Sequence, residues 1–452
     1  MESIKLAPVQ TRARIDVLDI LRGFAILGIF YMNIPFMGQA PFQWIPDPRA
    51  IGWSAADQAT WSTVEILLEG TQRCLLELLF GAGMMVLTAR AMEPNGPVAI
   101  ADLYWRRNLW LLAFGLFDVF VLLWPGDILF IYALAALFLF PFRKLAARWL
   151  IVIGLIYASV GAVGGGFEYA SRTALATKVE TARAHQTAHT PLTKADKEAL
   201  KAWQEKQDKR GLPPAMAKLD KQDRAARTAG AGIAAYAQDL WSIWLWFGAK
   251  GGILFAVIEA FSTMLIGIAL WKWGVIQGQR SARFYAVLTL AAYGFGLSAR
   301  ALGVIEVTSF SPIPKTIWIT EEFARLATGI GHLALINLAV KTATGRAVLA
   351  PFKAAGRMAF SLYFLQQIIG NFIIFAPFAL GLWGKFGWAQ LAAIATAVIA
   401  FELLFANLWM RYFVSGPLEW TWRSLAYVRW QPFRRGDAAT GAIGDAPAPV
   451  AA

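Results

Sequence analysis

Glu69, Arg73 and Glu77 recur at every fourth position in a stretch otherwise rich in leucine. That spacing sets all three on one helical face, so the arginine can pair with a carboxylate on either side. Similar side chains interrupt other apolar runs: Asp118 and, after it, Asp127; Glu321, Glu322, Arg325, His332 and Asn337; Gln366, Gln367 and Asn371; Glu402 and Asn407. Carboxyls and imidazoles are the usual general acids and bases. Amides and guanidinium groups orient substrates and hold anions. Each charge in the middle of an apolar run costs at least about 2.5 kcal/mol on insertion scales and normally faces inward. A single buried amide is more often a helix-to-helix hydrogen bond, and a lone histidine such as His332 is more often structural than catalytic. The recurrence of such groups in run after run predicts a polar chamber or path inside a helical bundle.

Other chemistries are not written in the chain. There is no Walker A loop, no G-x-S-x-G elbow and no dinucleotide glycine fingerprint, so ATP hydrolysis and serine-hydrolase chemistry are not expected. The one cysteine, Cys74, cannot make an intramolecular disulfide, and no His/Cys cluster has metal-site spacing. No metal and no permanently bound cofactor are expected. "HTPLTKAD" lacks the His-x4-Asp spacing of soluble acyltransferases.

The elements that must position these residues follow from composition. Hydrophobic residues make up 58% of the chain and charged ones only 16%, against about a quarter charged in soluble domains. The apolar residues fall into runs of about twenty, enough to cross a hydrocarbon layer as helix, and many of the 20 tryptophans lie near the run ends, where their rings favour the interface. The fold class is therefore all-α, a polytopic transmembrane helical bundle. About ten spans are predicted, near 17–37, 64–91, 105–124, 126–142, 147–166, 251–273, 282–304, 318–341, 357–376 and 388–411.

Short loops on one side hold most of the lysine and arginine, among them Arg12, Arg14, Arg90, Arg106, Arg107, Arg143, Arg357, Arg411 and Arg423. Both termini are therefore expected in the cytoplasm, with no cleavable signal peptide. The net charge of +13 is this topology signal, and no nucleic-acid partner is expected; the lipid bilayer is.

Four regions are expected: an N-terminal membrane half (1–166), an extracytoplasmic polar helical insertion with an interfacial helix (167–250), a C-terminal membrane half (251–430) and a cytoplasmic disordered tail (431–452). Within the insertion, Thr193-x-x-Asp196 is a capping pattern that opens a helix ending at Gly211. The insertion reads as a solvated hairpin, with a lid over an outward-facing site as its functional alternative.

The opening "LDILRGFAILGIFYMN", with Asp19, Arg22, Gly23 and Asn33, resembles the start of the YeiB-like family of bacterial membrane proteins. "LLFGAGM", "GDILFIYAL" with Asp127, "GRMAFSLYFLQQIIG" with Arg357, Tyr363 and Gln366, and "GPLEWTWRSLAY" with Glu419 and Arg423 follow in the family's order. The last two resemble its C-terminal domain of unknown function 418. The resemblance runs from about residue 14 to 427 and implies a multi-pass protein of the bacterial cytoplasmic (inner) membrane.

The family is in turn similar to the transmembrane acyltransferase superfamily, which includes heparan-glucosamine acetyltransferases and bacterial enzymes that acylate sugars. That likeness implies an acyl group taken from a cytoplasmic thioester, with acyl-CoA as co-substrate. The acceptor would be extracytoplasmic: a small molecule, a glycan or a lipid-linked group. Arg22 and Arg357 would hold the donor's phosphates, Asn33 would stabilise the oxyanion, and Asp118, Asp127 or His332 would be the base. Asp19, Arg73, Glu322, Gln366, Glu419 and Arg423 are the further candidates for substrate or donor binding. The superfamily's chemistry leans on a histidine near the first-span asparagine; this chain has none before residue 185, and Asp118 stands where relatives often read His-Gly. A transporter of a small polar or amphipathic solute is the alternative, and a non-catalytic membrane partner a third.

Overall fold

The computed structural model describes residues 15–88, 99–208, 214–228 and 230–436. Arg12, Arg14, Arg90, Gly211 and the tail beyond 436 lie outside the described residues.

In chain order the helices are α1 (Asp16–Gly28), α2 (Phe30–Gly38), α3 (Pro41–Trp44), α4 (Ala55–Leu67), α5 (Thr71–Thr88), α6 (Ala99–Phe120), α7 (Ile128–Leu139), α8 (Ala147–Gly154), α9 (Ile156–Thr187) and α10 (Lys194–Asp208). They continue as α11 (Pro214–Ala226), α12 (Ile233–Ala249), α13 (Gly252–Lys272), α14 (Ala282–Thr308), α15 (Ile317–Ala339), α16 (Ala343–Arg357), α17 (Ala359–Gln367), α18 (Trp388–Tyr412) and α19 (Pro417–Tyr427). Among the described residues the only bridge of β type joins Phe413 and Arg434. The all-α bundle expected from the sequence is what forms.

Among the described residues five helical segments are long and apolar enough to cross a membrane alone (α1–α2, α8–α9, α13, α14 and α18), and six if the bent pair α15–α16 counts as one span. The expected ten is corrected to this number, and the reason is physical. The run expected at 64–91 is broken at Gly70, whose φ of +68° separates α4 from α5, and α5 carries Arg73 and Glu77. Helix α6 carries Asp102, Arg106, Arg107 and Asp118. Helix α7 is only 12 residues long, far less than about 20 for a full crossing. Helix α17 passes into a π-helical turn, Ile368–Ile374. Large apolar side chains such as Val160, Leu290 and Leu404 stand exposed on α9, α14 and α18. Water would penalise that surface, whereas lipid would cover it.

The core is organised around α1, which lies against α16. Gly23 of α1 and Gly356 of α16 let the two backbones touch: a Cβ on Gly23 would overlap the Phe352 carbonyl oxygen, and one on Gly356 would overlap that of Asp19. The "LRG" and "GR" motifs thus pack on each other and bring Arg22 and Arg357 into one region. Gly356→Ala must push α16 off α1. We expect a loss of about 2–3 kcal/mol, of the size that overpacking costs, read as a lower melting temperature in detergent; an unchanged value would contradict this contact.

The described residues between 167 and 250 pack at the end of the bundle away from Arg22. Gln43 Nε2 donates to Asp220 (3.0 Å) and Arg227 Nη1 to the Met37 carbonyl (3.0 Å). In the hairpin of α9 and α10, Thr193 and Asp196 form the expected capping box, with Asp196 Oδ2 also 3.0 Å from His185 Nδ1. Hydrogen bonds from Thr193 and His185 hold the Asp196 carboxyl down to about 2. A depressed carboxyl stabilises the fold fully above the ordinary aspartate pKa of about 3.9 and loses that contribution as pH falls through its folded value. Pepsin cleavage between α9 and α10 should therefore rise as pH drops from about 4 to about 2, and Asp196→Asn should flatten that dependence. Equal pH dependence in both proteins would contradict the assignment.

Candidate functional site

A cavity of about 250 Å³ lies between α1, α5, α6, α7, α17 and α19. Its two ends differ in chemistry. At one end stand Arg22, Arg107, Arg357 and Arg423. Arg22 Nη1 donates to Asp19 (2.9 Å), one turn before it on the same first helix, which orients the guanidinium. Arg357 reaches the Val414 carbonyl through Nη2 at 2.6 Å. Arg107 lies over the Trp422 ring, 4.2 Å from its centroid, while Trp422 Nε1 donates to the Arg107 carbonyl at 2.8 Å. Guanidinium forks gathered at one mouth suit phosphate oxygens.

The walls are apolar, with Leu76, Leu79 and Phe80 from α5, Leu111 from α6 and Phe360 from α17. The far end is closed by Ile128, Tyr132 and Tyr363. The Tyr363 hydroxyl accepts from the Ile128 backbone N–H (3.2 Å) and lies 3.4 Å from Asp127 Oδ1. Asp127 caps α7 by accepting from the N–H groups of Leu129 (3.1 Å) and Phe130 (2.6 Å), a common way of satisfying orphan helix donors. Asp118, fully buried, abuts both Asp127 and Tyr363. The shape is an amphiphile's: an anionic head at the arginines, an apolar body, and carboxyls at the tip.

The residues singled out in the sequence separate into groups. Arg22, Arg357, Glu419 and Arg423 line the cavity, and Asp118 and Asp127 sit behind its Tyr363 wall. Glu419 is a cap as well: its carboxylate accepts from the N–H groups of Phe360 (2.7 Å) and Ser361 (3.2 Å) and from Ser361 Oγ (2.6 Å), pinning the start of α17.

Other candidates lie elsewhere. His332 has both ring nitrogens engaged, Nδ1 by the Tyr293 hydroxyl (2.7 Å) and Nε2 by the Leu67 carbonyl (2.8 Å). With a carbonyl at Nε2 the hydrogen must be there, leaving Nδ1 to accept from tyrosine. Arg73 and Glu322 belong to an ion network: Arg325 meets Glu77 (3.2 Å), Glu259 (3.1 Å) and Glu322 (2.9 Å), and Arg73 meets Glu259 at 2.8 Å. Gln366 bridges the Ile26 carbonyl and Glu402. Asn33 does not line the cavity, and its buried amide nitrogen has no hydrogen-bond partner. Arg107, Tyr363 and Glu259 escaped the list of candidates. The first was absorbed into the positive loop bias, the second was only a letter in a motif, and the third is a single charge whose partners come from other helices.

Fold and cavity together define a helical membrane protein with an internal, arginine-lipped chamber. The family described as "Protein of unknown function (DUF418)" matches residues 270–429. The chain is 30% identical to the "uncharacterized protein YxaH" of Bacillus subtilis (strain 168), over 95% of this chain and 98% of that one. It is 27% identical to the "uncharacterized protein YeiB" of Escherichia coli (strain K12), over 90% of this chain and 95% of that one. The chain belongs to this YeiB-like, DUF418-containing family of membrane proteins. No solved structure matches it.

Proposed function

We propose that the protein is a membrane-embedded acyltransferase whose donor, an acyl thioester of coenzyme A, enters from the arginine end of the cavity. One observation carries the reading: Arg22, Arg107, Arg357 and Arg423 open into the same apolar chamber that ends at Tyr363, with Asp127 and Asp118 behind it. The arginines suit the donor's phosphates, the apolar walls suit the pantetheine arm and acyl chain, and Tyr363 and the carboxyls stand where the thioester carbonyl would arrive. A hydroxyl near that carbonyl supplies a donor for the oxyanion, and a carboxyl supplies the proton acceptor that acyl transfer needs. Asp127, held by two N–H groups, fixes the geometry; Asp118, without such bonds, is the carboxyl left for proton transfer.

The test is incubation of the purified protein in nanodiscs with radiolabelled octanoyl-CoA. Release of coenzyme A above the empty-nanodisc rate, abolished in Asp118→Asn, supports the reading; absence of coenzyme A binding overturns it. The buried ion network along α5, α13 and α15 gives an exporter reading its own support, since such charges also mark solute or proton paths. Solute flux in proteoliposomes without any acyl donor would favour that reading.

A further inference from the structure

Beside the arginine mouth the chain folds back along α19. That helix stops at Tyr427, and Val428 reverses the chain with a φ of +52°, a conformation unfavourable for a β-branched residue. The strap that follows, residues 428–435, is held at every second residue. The Arg429 N–H donates to the Ser424 carbonyl (3.1 Å), and the Gln431 N–H to Ser424 Oγ (3.2 Å). The Gln431 carbonyl accepts from Trp420 Nε1 (2.7 Å), and the Phe433 carbonyl from the Val414 N–H (2.9 Å). Rings reinforce these bonds. Trp409, Phe413, Phe433, Trp420 and Trp430 form one row, with successive centroids 4.2, 4.7, 5.0 and 5.2 Å apart. The strap is thus tied to α19 and to the end of α18, one of the apolar spans.

Two kinds of side chain are turned outward here. Trp430 is 75% exposed, Val428 74%, and Tyr412, the last residue of α18, 69%. Arg411, Arg429, Arg434 and Arg435 are exposed as well, and among the described residues none of their side chains makes an ion pair or a hydrogen bond. The one acidic residue from 403 to 436 is Glu419, which is buried and bonded to the start of α17. Tryptophan and tyrosine rings at the end of a span favour the headgroup level of a bilayer. Arginines at that level attract anionic lipids, and their forks suit headgroup phosphates. The positive bias of loops asks only for charge; it does not ask for a bonded strap that sets rings and arginines side by side. An acidic protein would answer the charge, but the rings at the end of a span are answered by lipid.

We infer that the strap and the end of α18 form a docking surface for an anionic phospholipid of the adjoining leaflet. Arg411, Arg429, Arg434 and Arg435 take the headgroup phosphates, and Val428, Trp430 and Tyr412 lie among the headgroups and the first methylenes. This surface is independent of the acyl-transfer reading. Lipid bound there nonetheless reaches the mouth of the cavity. Val414, whose N–H holds Phe433, gives its carbonyl to Arg357 Nη2 (2.6 Å), and Trp422 and Arg423 of α19 line the cavity. A lipid that fixes the strap therefore fixes the backbone on which Arg357 rests.

The experiment titrates phosphatidylglycerol into the full chain held in a neutral detergent. Two quantities are read: the melting temperature and the hydrogen exchange of the Val414 amide. Phosphatidylglycerol should raise the first and slow the second, with one midpoint, and phosphatidylcholine should leave both unchanged. Arg434→Gln combined with Arg435→Gln should raise that midpoint about fivefold per arginine lost, and Trp430→Ser should raise it too. Arg283→Gln, at an exposed arginine of α14 outside the strap, should leave it in place. The inference is overturned if the two lipids act alike, or if Arg283→Gln shifts the midpoint as far as the strap variants do. It is equally overturned if glycerol phosphate or polyglutamate reproduces the effect with the same dependence on Arg434 and Arg435, which would give the surface to a free anion or to an acidic protein.

Discussion

Arg22→Gln and Arg357→Gln should each weaken coenzyme A binding about ten- to hundredfold, the range expected when one charge-assisted hydrogen bond to phosphate is lost. The two side chains come from helices separated by most of the chain yet meet at one mouth, because Gly23 and Gly356 allow α1 and α16 to touch. Arg22 is tied within its own helix to Asp19, so its replacement leaves the helix intact. The affinity loss should shrink as salt rises, since the ion pairs concerned are open to screening. Desulfo or apolar variants of the acyl arm, which leave the phosphates in place, should respond to the two substitutions as the parent does. Equal affinity of both variants and the wild type, measured by calorimetry, would remove the arginine mouth from donor binding.

Arg325→Leu should be the most destabilising single change in the bundle, by about 3–5 kcal/mol, as found when one member of a buried ion cluster is removed. Arg325 is buried, and its guanidinium contacts Glu77, Glu259 and Glu322 at once, with Nη2 also donating to Thr263 Oγ1 at 3.1 Å. Without it, three carboxylates from three helices face one another with only Arg73 nearby. The loss should show as a lowered melting temperature and reduced yield of folded protein. Adding Glu77→Gln to Arg325→Leu should recover part of it, because one of the uncompensated charges is then gone. A variant as stable as the wild type would mean that the network contributes nothing net to the fold.

Much of this was readable from residue order. The membrane class followed from apolar runs too long and too greasy for a soluble core. The region around Arg22, Arg357, Glu419 and Arg423 followed from motifs that match a family, and these four do share a cavity. What the sequence could not show depends on distance across the bundle. Glu69, Arg73 and Glu77 have helix-face spacing, yet Gly70 separates Glu69 from α5 and the centre of the network is Arg325 on α15, with Glu259 from α13. Asp127 and Glu419 carry charge into apolar surroundings as a catalytic group would, but each also caps a helix, and only the neighbouring N–H groups reveal it. His332 has the right chemistry for a base, and Tyr293 and Leu67 occupy both its nitrogens. The span count expected from the sequence was too high because hydropathy does not register a left-handed glycine such as Gly70 or the shortness of α7.

The central claim is that one chamber holds a thioester donor with its phosphates at Arg22, Arg107, Arg357 and Arg423 and its sulfur near Tyr363 and Asp118. The most direct measurement is a cryo-electron microscopy structure in nanodiscs with a saturating, non-transferable thioether analogue of octanoyl-CoA. The account predicts density filling the cavity, phosphates against the four arginines and the sulfur within a few ångströms, on the order of one hydrogen bond plus one bond length, of the Tyr363 hydroxyl. A cavity empty of the analogue, or one holding it with the phosphates away from the arginines, would contradict it.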